Sequence, residues 1–286
     1  MGKSNLSGNP SHHCSPVIMV DGNTLPEVWE TALFRLVEKG RMMPTEYDPT
    51  ERSRDAVMIM VVHSPLAEPR IHCGASVGSL SFYDEYVAEV LNGVNDDEVF
   101  KGRLSYTYHQ RIFDYTTEDG FEHPELKGTG FDQIRYVIDK LVKAPYSRRA
   151  QAITWNPLID PNREDPPCLQ RLWFRIYQKK DEHFLAMHTH WRSRDALHAA
   201  FLNMYALTLL QKRVAELVSK QLEIKIQVGQ YVDISDSFHV YERVQDSLNR
   251  FLKTSRTLQP EQKHWTTSHL RDLIQQTTNL KNQKSP

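Results

Sequence analysis

A chain of 286 residues, 40% hydrophobic and 25% charged, has the composition of an ordinary globular protein and the length for one large domain or two small ones. Basic and acidic residues nearly cancel to a formal net charge of -1, which excludes a global field for DNA or an anionic membrane and leaves anion binding to local arginine clusters. Cys14, Cys73 and Cys168 are unrelated in spacing and build neither a disulfide framework nor a zinc site; with no apolar signal region and no apolar run of about 18 residues, they point to a soluble protein of the reducing cytoplasm.

Residues 1–15, rich in Gly, Ser, Asn and His, read as a disordered tail; His12 and His13 beside Cys14 lack a second ligand pair. Residues 16–255 read as one domain and 256–286 as a polar, partly helical extension. Val17 to Val20 reads as a short strand. Val28, Trp29, Ala32, Leu33 and Leu36 recur at helical spacing, predicting a helix from Leu25 to Lys39 ended by Gly40. Glu51 to Asp55 reads as a solvated charged loop before a buried strand, Ala56 to Val62. A helix follows from Ser81 to Leu91, with Gly93 as its cap. The aromatic and polar stretch Arg103 to Ile112 has strand or loop character. Ile134, Val137, Ile138 and Leu141 mark a helix from Phe131 to Lys143. Arg148 and Arg149 then lead into a strand ending at Trp155-Asn156.

Asp165-Pro166-Pro167-Cys168 is a rigid loop, since two prolines fix φ and withhold donors, and it presents a thiol at the start of a strand. Arg148, Arg149 and Arg192 lie within 25 residues, and cations lower a thiol's pKa. Strands at Leu172 to Gln178 and Phe184 to Trp191 flank a polar turn. Asp195 is placed to cap a long helix reaching about Ser219, with Asn203 an amide in its apolar stripe. Strands at Glu223 to Val228 and Tyr231 to Ile234, a helix from Val244 to Lys253 and a polar tail complete the chain. Helices and strands alternate without strict βαβ spacing or a Gly-rich phosphate loop. That predicts an α+β fold, a mixed sheet with packed helices.

Taken together, Arg148-Arg149, Pro167-Cys168, Arg192-Ser193-Arg194-Asp195, Asn203 eight residues beyond Asp195, and His239-Val240-Tyr241 resemble the thymidylate synthase family in order and spacing from about Phe131 to Glu242. Leu25 to Gly40 and Tyr106-Thr107-Tyr108 look like the smaller archaeal-type branch. The resemblance implies a homodimer through the sheet and one-carbon transfer from 5,10-methylenetetrahydrofolate to C5 of a pyrimidine nucleoside monophosphate. Cys168 would be the nucleophile at C6, which makes C5 enolate-like. Arg192 and Ser193 would hold the 5′-phosphate, joined by Arg148 and Arg149 from the neighbouring subunit. Asn203 would read the base edge, an amide going with uracil and a carboxylate with cytosine. His239 and Tyr241 would bind the ribose, Asp195 the base region or the folate, and Tyr106 or Tyr108 would order water near C5.

The departures are also specific. A glutamate is expected on the helix before Gly93, where Glu85 and Glu89 compete and Glu85 is favoured. Asn95 to Lys101 has no tryptophan, Leu169 stands where a histidine is common, and Thr277 to Pro286 carries no recognisable closing segment. The expected reaction is dUMP to dTMP. The alternative is hydroxymethylation of dUMP, CMP or dCMP, water replacing the hydride; a lesser one is a non-catalytic nucleotide- or RNA-binding homologue.

Overall fold

The computed structural model describes residues 14–283 apart from 47, 49, 76–79, 119–121, 124 and 126; most of the tail expected at 1–15 lies outside these. Strands β1 (Val17–Gly22), β2 (Arg41–Pro44), β3 (Arg52–Val62), β5 (Gln151–Ile153), β6 (Leu169–Lys179), β7 (Glu182–Trp191), β8 (Arg194–Asp195) and β9 (Ile226–Tyr241) form one mixed sheet. Its order is β1-β3-β9-β7-β6-β5, with β2 added to β3 and β8 to β9. The β1/β3, β7/β9 and β8/β9 pairs are parallel; the others are antiparallel. A separate pair, β4 (Ile71–His72) and β10 (His264–Trp265), is antiparallel.

Helix α1 (Leu25–Lys39) forms where its spacing predicts. Leu25, Val28, Trp29, Ala32, Leu33 and Leu36 are all fully buried, each large side chain contributing about 1.5–3 kcal/mol. Trp29 is fixed in orientation as well, because Nε1 donates to the Ala196 carbonyl at 2.8 Å. Helices α2 (Phe82–Asn92), α5 (Gln133–Lys143) and α6 (Ala200–Leu222) complete the layer over the core. Gly93 ends α2 at φ 65°, where a Cβ would stand 2.3 Å from His109 Nδ1 and 2.5 Å from Asp96 Oδ2. The opposite sheet face leaves Trp173, Tyr177, Phe184 and His188 partly exposed; the last three line a depression of about 620 Å³.

Several expected elements are corrected. Arg52 to Asp55 belongs to β3 rather than a loop, because it pairs with β2 and with Val240 and Tyr241 of β9. Ser53 and Asp55 face a recess, described below. In the stretch expected as strand or loop at 103–112, residues 103–107 form no helix or strand, but a short helix, α4 (Tyr108–Phe113), takes the rest; another, α3 (Asp96–Phe100), precedes it. Thr107 caps α4, its hydroxyl accepting from Gln110 N at 3.0 Å, and buried Arg111 is paired with Asp160 at 2.6 Å. The two strands expected after α6 are the single strand β9. Between Ala56–Met58 of β3 and Ser235–Phe238 of β9 the register shifts, so β9 carries one surplus residue as a bulge. Tyr231, Asp233 and Ser235 are buried before it, and Phe238 and Val240 after it.

The polar tail is likewise structured. Helix α7 (Gln245–Thr257), which crosses the boundary expected at 255, is followed by α8 (Pro260–Lys263), β10 and α9 (Thr267–Gln283). This extension is fastened to α1 by Glu30. Its carboxylate accepts from Lys263 Nζ at 2.6 Å and His72 Nε2 at 2.8 Å, with His264 Nε2 3.4 Å away. These contacts hold Glu30 far below the ordinary carboxylate range although burial acts the other way. Lys263 also donates to the Ser255 carbonyl at 2.8 Å, and Gly74 N donates to His72 Nδ1 at 3.0 Å.

Candidate active site

The proline loop delivers Cys168 to the first residue of β6 by a grip from both sides. Prolines lack N–H groups but keep their carbonyls, and Arg192 uses them: Nε donates to Pro167 O at 3.0 Å and Nη2 to Pro166 O at 2.6 Å. Arg192 N donates to Cys168 O at 2.9 Å, and Thr154 Oγ1 donates to Leu169 O. Cys168 is therefore locked to Arg192, in the link between β7 and β8.

Cys168 opens on a cavity of about 270 Å³. Of the residues singled out from sequence, Tyr108, Ser193, Asp195, Asn203, His239 and Tyr241 line it with Cys168. Asp165, Trp191 and Arg194 complete much of the wall, and sequence reasoning had not assigned them to a site. A second recess of about 190 Å³ shares Ser193, His239 and Tyr241 with the first and adds Arg192. Glu46 and Asp55 also line that recess, so one guanidinium faces two carboxylates.

The floor is a buried polar network. Arg194 pairs with Asp233 through Nη1 at 2.8 and 3.1 Å, and its guanidinium lies 3.7 Å from the centre of the Trp191 ring. Asp233 also accepts from Tyr231 Oη at 2.6 Å, Thr189 Oγ1 at 3.0 Å and Trp191 Nε1 at 3.1 Å. Asp233 is thus well satisfied, while Arg194 Nε has no hydrogen-bond partner among the described residues; removing one member of such a buried ion pair costs about 3–5 kcal/mol. Arg194 Nη2 donates to Ala200 O at 2.8 Å, tying the floor to the start of α6.

Asp195 does not cap α6, whose N-cap is Ala199. It organises the preceding turn instead, Oδ1 accepting from Leu197 N at 3.0 Å and His198 N at 2.9 Å. Oδ2 lies 3.3 Å from His198 Nδ1. His239 Nδ1 is 3.2 Å from the Ser237 carbonyl, which can only accept; the proton is thereby assigned to Nδ1, leaving Nε2 an acceptor. His239 and Tyr241 meet edge to face at 4.8 Å. The Tyr108 oxygen accepts from Leu169 N and is hydrogen-bonded to Tyr106. Burial raises both phenols above their ordinary range.

Burial pushes the Cys168 thiol up, Arg192 and Arg194 pull it down, and Asp165 raises it further; the net direction is upward. Proximity to arginine was expected to lower it. Desolvation wins here because the arginine heads are committed to Pro166, Pro167 and Asp233.

Arg148 and Arg149 do not line this cavity. Both are exposed and border a separate depression with Phe131 and Tyr136. Glu85 is exposed and is absent from the cavity wall, whereas Glu89, one turn on, is half-buried and accepts from Asn95 Nδ2 at 2.7 Å. The α2 side chain that meets the site is Tyr86, whose oxygen accepts from Asn203 Nδ2. Its only signal in sequence was a hydroxyl on the apolar face of that helix.

The thymidylate synthase family model matches residues 78–283, which include the cavity residues just described. A protein of Methanosarcina mazei carrying the name "Putative thymidylate synthase" is 32% identical over 235 residues, covering 82% of this chain and 94% of its own. One so named from Methanocaldococcus jannaschii is 30% identical over 212 residues, 72% of this chain and 83% of its own. A third, from Methanopyrus kandleri, is 28% identical over 200 residues, covering 70% and 84%.

Proposed function

This chain belongs to the thymidylate synthase family, and from that premise we propose that it transfers a one-carbon unit to C5 of a pyrimidine nucleoside monophosphate through a Cys168–C6 adduct, converting dUMP to dTMP. The observation that carries the reading is that motifs scattered from Tyr108 to Tyr241 line one cavity with the only cysteine in its wall.

In this reading Cys168 adds to C6 as the thiolate: the S–C6 bond forms and the C5–C6 π pair moves toward C5 and O4. Because the thiol sits above its ordinary pKa, Arg192 and Arg194 supply the positive potential that stabilises the anion against Asp165. Asn203 meets the base edge, and His239 Nε2 accepts from a ribose hydroxyl. Tyr108, held by Leu169 N beside the nucleophile, orders water near C5. Arg192 and Ser193 receive the 5′-phosphate in the second recess. Two carboxylates against one guanidinium there call for further cations, which supports a homodimer in which the partner supplies Arg148 and Arg149. The partly exposed Trp173, Tyr177 and Phe184 are the surface such a dimer would cover.

The donor set fits 5,10-methylenetetrahydrofolate at one point: Asp195 brings a half-buried carboxylate to the cavity, an acceptor suited to the N–H groups of a pterin. When bound, the folate supplies the one-carbon unit. A second reading, a 5-hydroxymethyl product, is favoured by the position of Glu85, which leaves a phenol rather than a carboxylate at Asn203.

Incubation with the folate and each of dUMP, dCMP, UMP and CMP, followed by mass analysis, tests the reaction. A 5-methyl product with stoichiometric dihydrofolate is expected from dUMP; a 5-hydroxymethyl product without dihydrofolate establishes the second reading. Cys168→Ala should abolish turnover and retain nucleotide binding, and turnover surviving that change refutes both.

A further inference from the structure

Tyr86 reaches the site from α2, and its hydroxyl is enclosed near Tyr108, Glu89, Arg194 and Asn203. Asn203 Nδ2 donates to the phenol oxygen. A hydroxyl that accepts one hydrogen bond keeps its own proton to donate, and among the described residues no protein acceptor takes it. Nor does any donor among them reach Asn203 Oδ1. Burial holds the phenol well above its ordinary pKa, so the group is a neutral O–H donor. The anchored amide and the phenol thus leave one acceptor, Oδ1, and two donors, the second Nδ2 hydrogen and the phenol hydrogen, at the same wall of the cavity.

We propose that Tyr86, acting with Asn203, is the residue that selects uracil over cytosine. The inference rests on the nucleotide reading given above. Uracil presents a donor at N3 and an acceptor at O4, whereas cytosine presents an acceptor at N3 and a donor at N4. With one Nδ2 hydrogen on Tyr86 fixing the amide's orientation, Asn203 Oδ1 is the acceptor for N3–H and the phenol, beside the second Nδ2 hydrogen, is a donor for O4. Cytosine would meet lone pair against lone pair at N3 and hydrogen against hydrogen at N4. To take cytosine, the amide and the phenol must turn over together, giving up the arrangement they hold at rest. The choice of base is thereby made by a residue on a different helix from the amide that touches the ring edge. The donor to O4 has a further consequence, since negative charge moves onto that oxygen when Cys168 adds at C6.

The test is equilibrium binding of dUMP, dCMP and deoxyribose 5-phosphate, without folate, to the full chain and to Tyr86→Phe, which keeps the ring and removes only the hydroxyl. The unaltered protein should prefer dUMP. Tyr86→Phe should lower the dUMP to dCMP affinity ratio about ten-fold, the effect of one lost hydrogen bond, with deoxyribose 5-phosphate binding and the unfolding midpoint unchanged. An unchanged ratio, equal weakening of all three ligands, or a preference of the unaltered protein for dCMP overturns the proposal while leaving the nucleotide reading intact. Failure of the unaltered protein to bind any of the three overturns that reading, and this proposal with it.

Discussion

The Glu30 cluster makes the C-terminal extension a matter of charge balance. Glu30→Gln keeps the shape and removes the negative charge, so Lys263, 8% exposed, is left as a buried ammonium with the Ser255 carbonyl as its remaining partner. Breaking a buried pair this way costs about 3–5 kcal/mol, and the low end suits a carboxylate side chain that is 14% exposed. For a chain of this size about 3 kcal/mol lowers the unfolding midpoint by roughly 6–12 °C. Lys263→Met alone should cost less, about 1–2 kcal/mol, because His72 and His264 still face the carboxylate. The double variant should recover most of the loss, since removing both charges leaves no orphan ammonium. The sign with pH follows from the two shifted groups. Glu30, depressed when folded, contributes stability above the ordinary carboxylate pKa that is lost as pH falls. Burial depresses His72, so protonation of the unfolded chain below about pH 6.5 also favours unfolding. Thermal melts of the four proteins from pH 8 to pH 4 measure all of this. A Glu30→Gln protein within 0.5 kcal/mol of the parent, or strictly additive single and double variants, would refute the reasoning.

In a background with Cys14 and Cys73 changed to serine, alkylation of Cys168 should rise only above the pH at which a free thiol reacts; Asp165→Asn should move that midpoint down and Arg192→Met up, and a midpoint below the free thiol's contradicts the burial argument. Mixing an inactive Cys168→Ala protein with an inactive Arg148→Ala/Arg149→Ala protein should restore about a quarter of the parent turnover if sites are shared between subunits; no recovery after exchange refutes the sharing. Gly93→Ala should cost about 2 kcal/mol in denaturant unfolding, because a Cβ at positive φ also collides with His109 and Asp96; a neutral result would mean this turn re-forms without loss.

What could be read from sequence divides along chain distance. Helix α1 is legible to its end residues because its whole signal, apolar spacing and a glycine stop, lies within one window. The Tyr106-Thr107-Tyr108 stretch misleads because its β-type composition is overridden by a cap at Thr107 and by Arg111, whose partner Asp160 is 49 residues on. Gly229-Gln230 looks like a break in β9 but is an irregularity inside one ladder, since β7 pairs on both sides of it, at Val228 and Tyr231, and β3 pairs from Tyr231 onward. At the site, residues in short motifs were found. Tyr86 was not, and Arg194, though inside one of those motifs, was given no role, since the partners that define them stand 117 and 39 residues away. The direction of the Cys168 shift was missed for a related reason: nearness to arginine is visible in sequence, but not what those arginines are already holding.

The bulge in β9 has a consequence for how this pocket could arise and be lost. A strand turns alternate side chains to opposite sides, so Asp233 and His239, six positions apart, should share a side. The surplus residue opposite Ala56–Met58 reverses the parity, sending Phe238 and Val240 inward and freeing His239 and Tyr241 for the cleft. Pairing the same residues without the bulge would undo that reversal, trading two recognition groups for two greasy ones, whereas deleting Asp236 would cost the bond to His190 but keep Phe238 opposite Ala56. Recognition at this end of the cleft depends on a count of residues as much as on their identity.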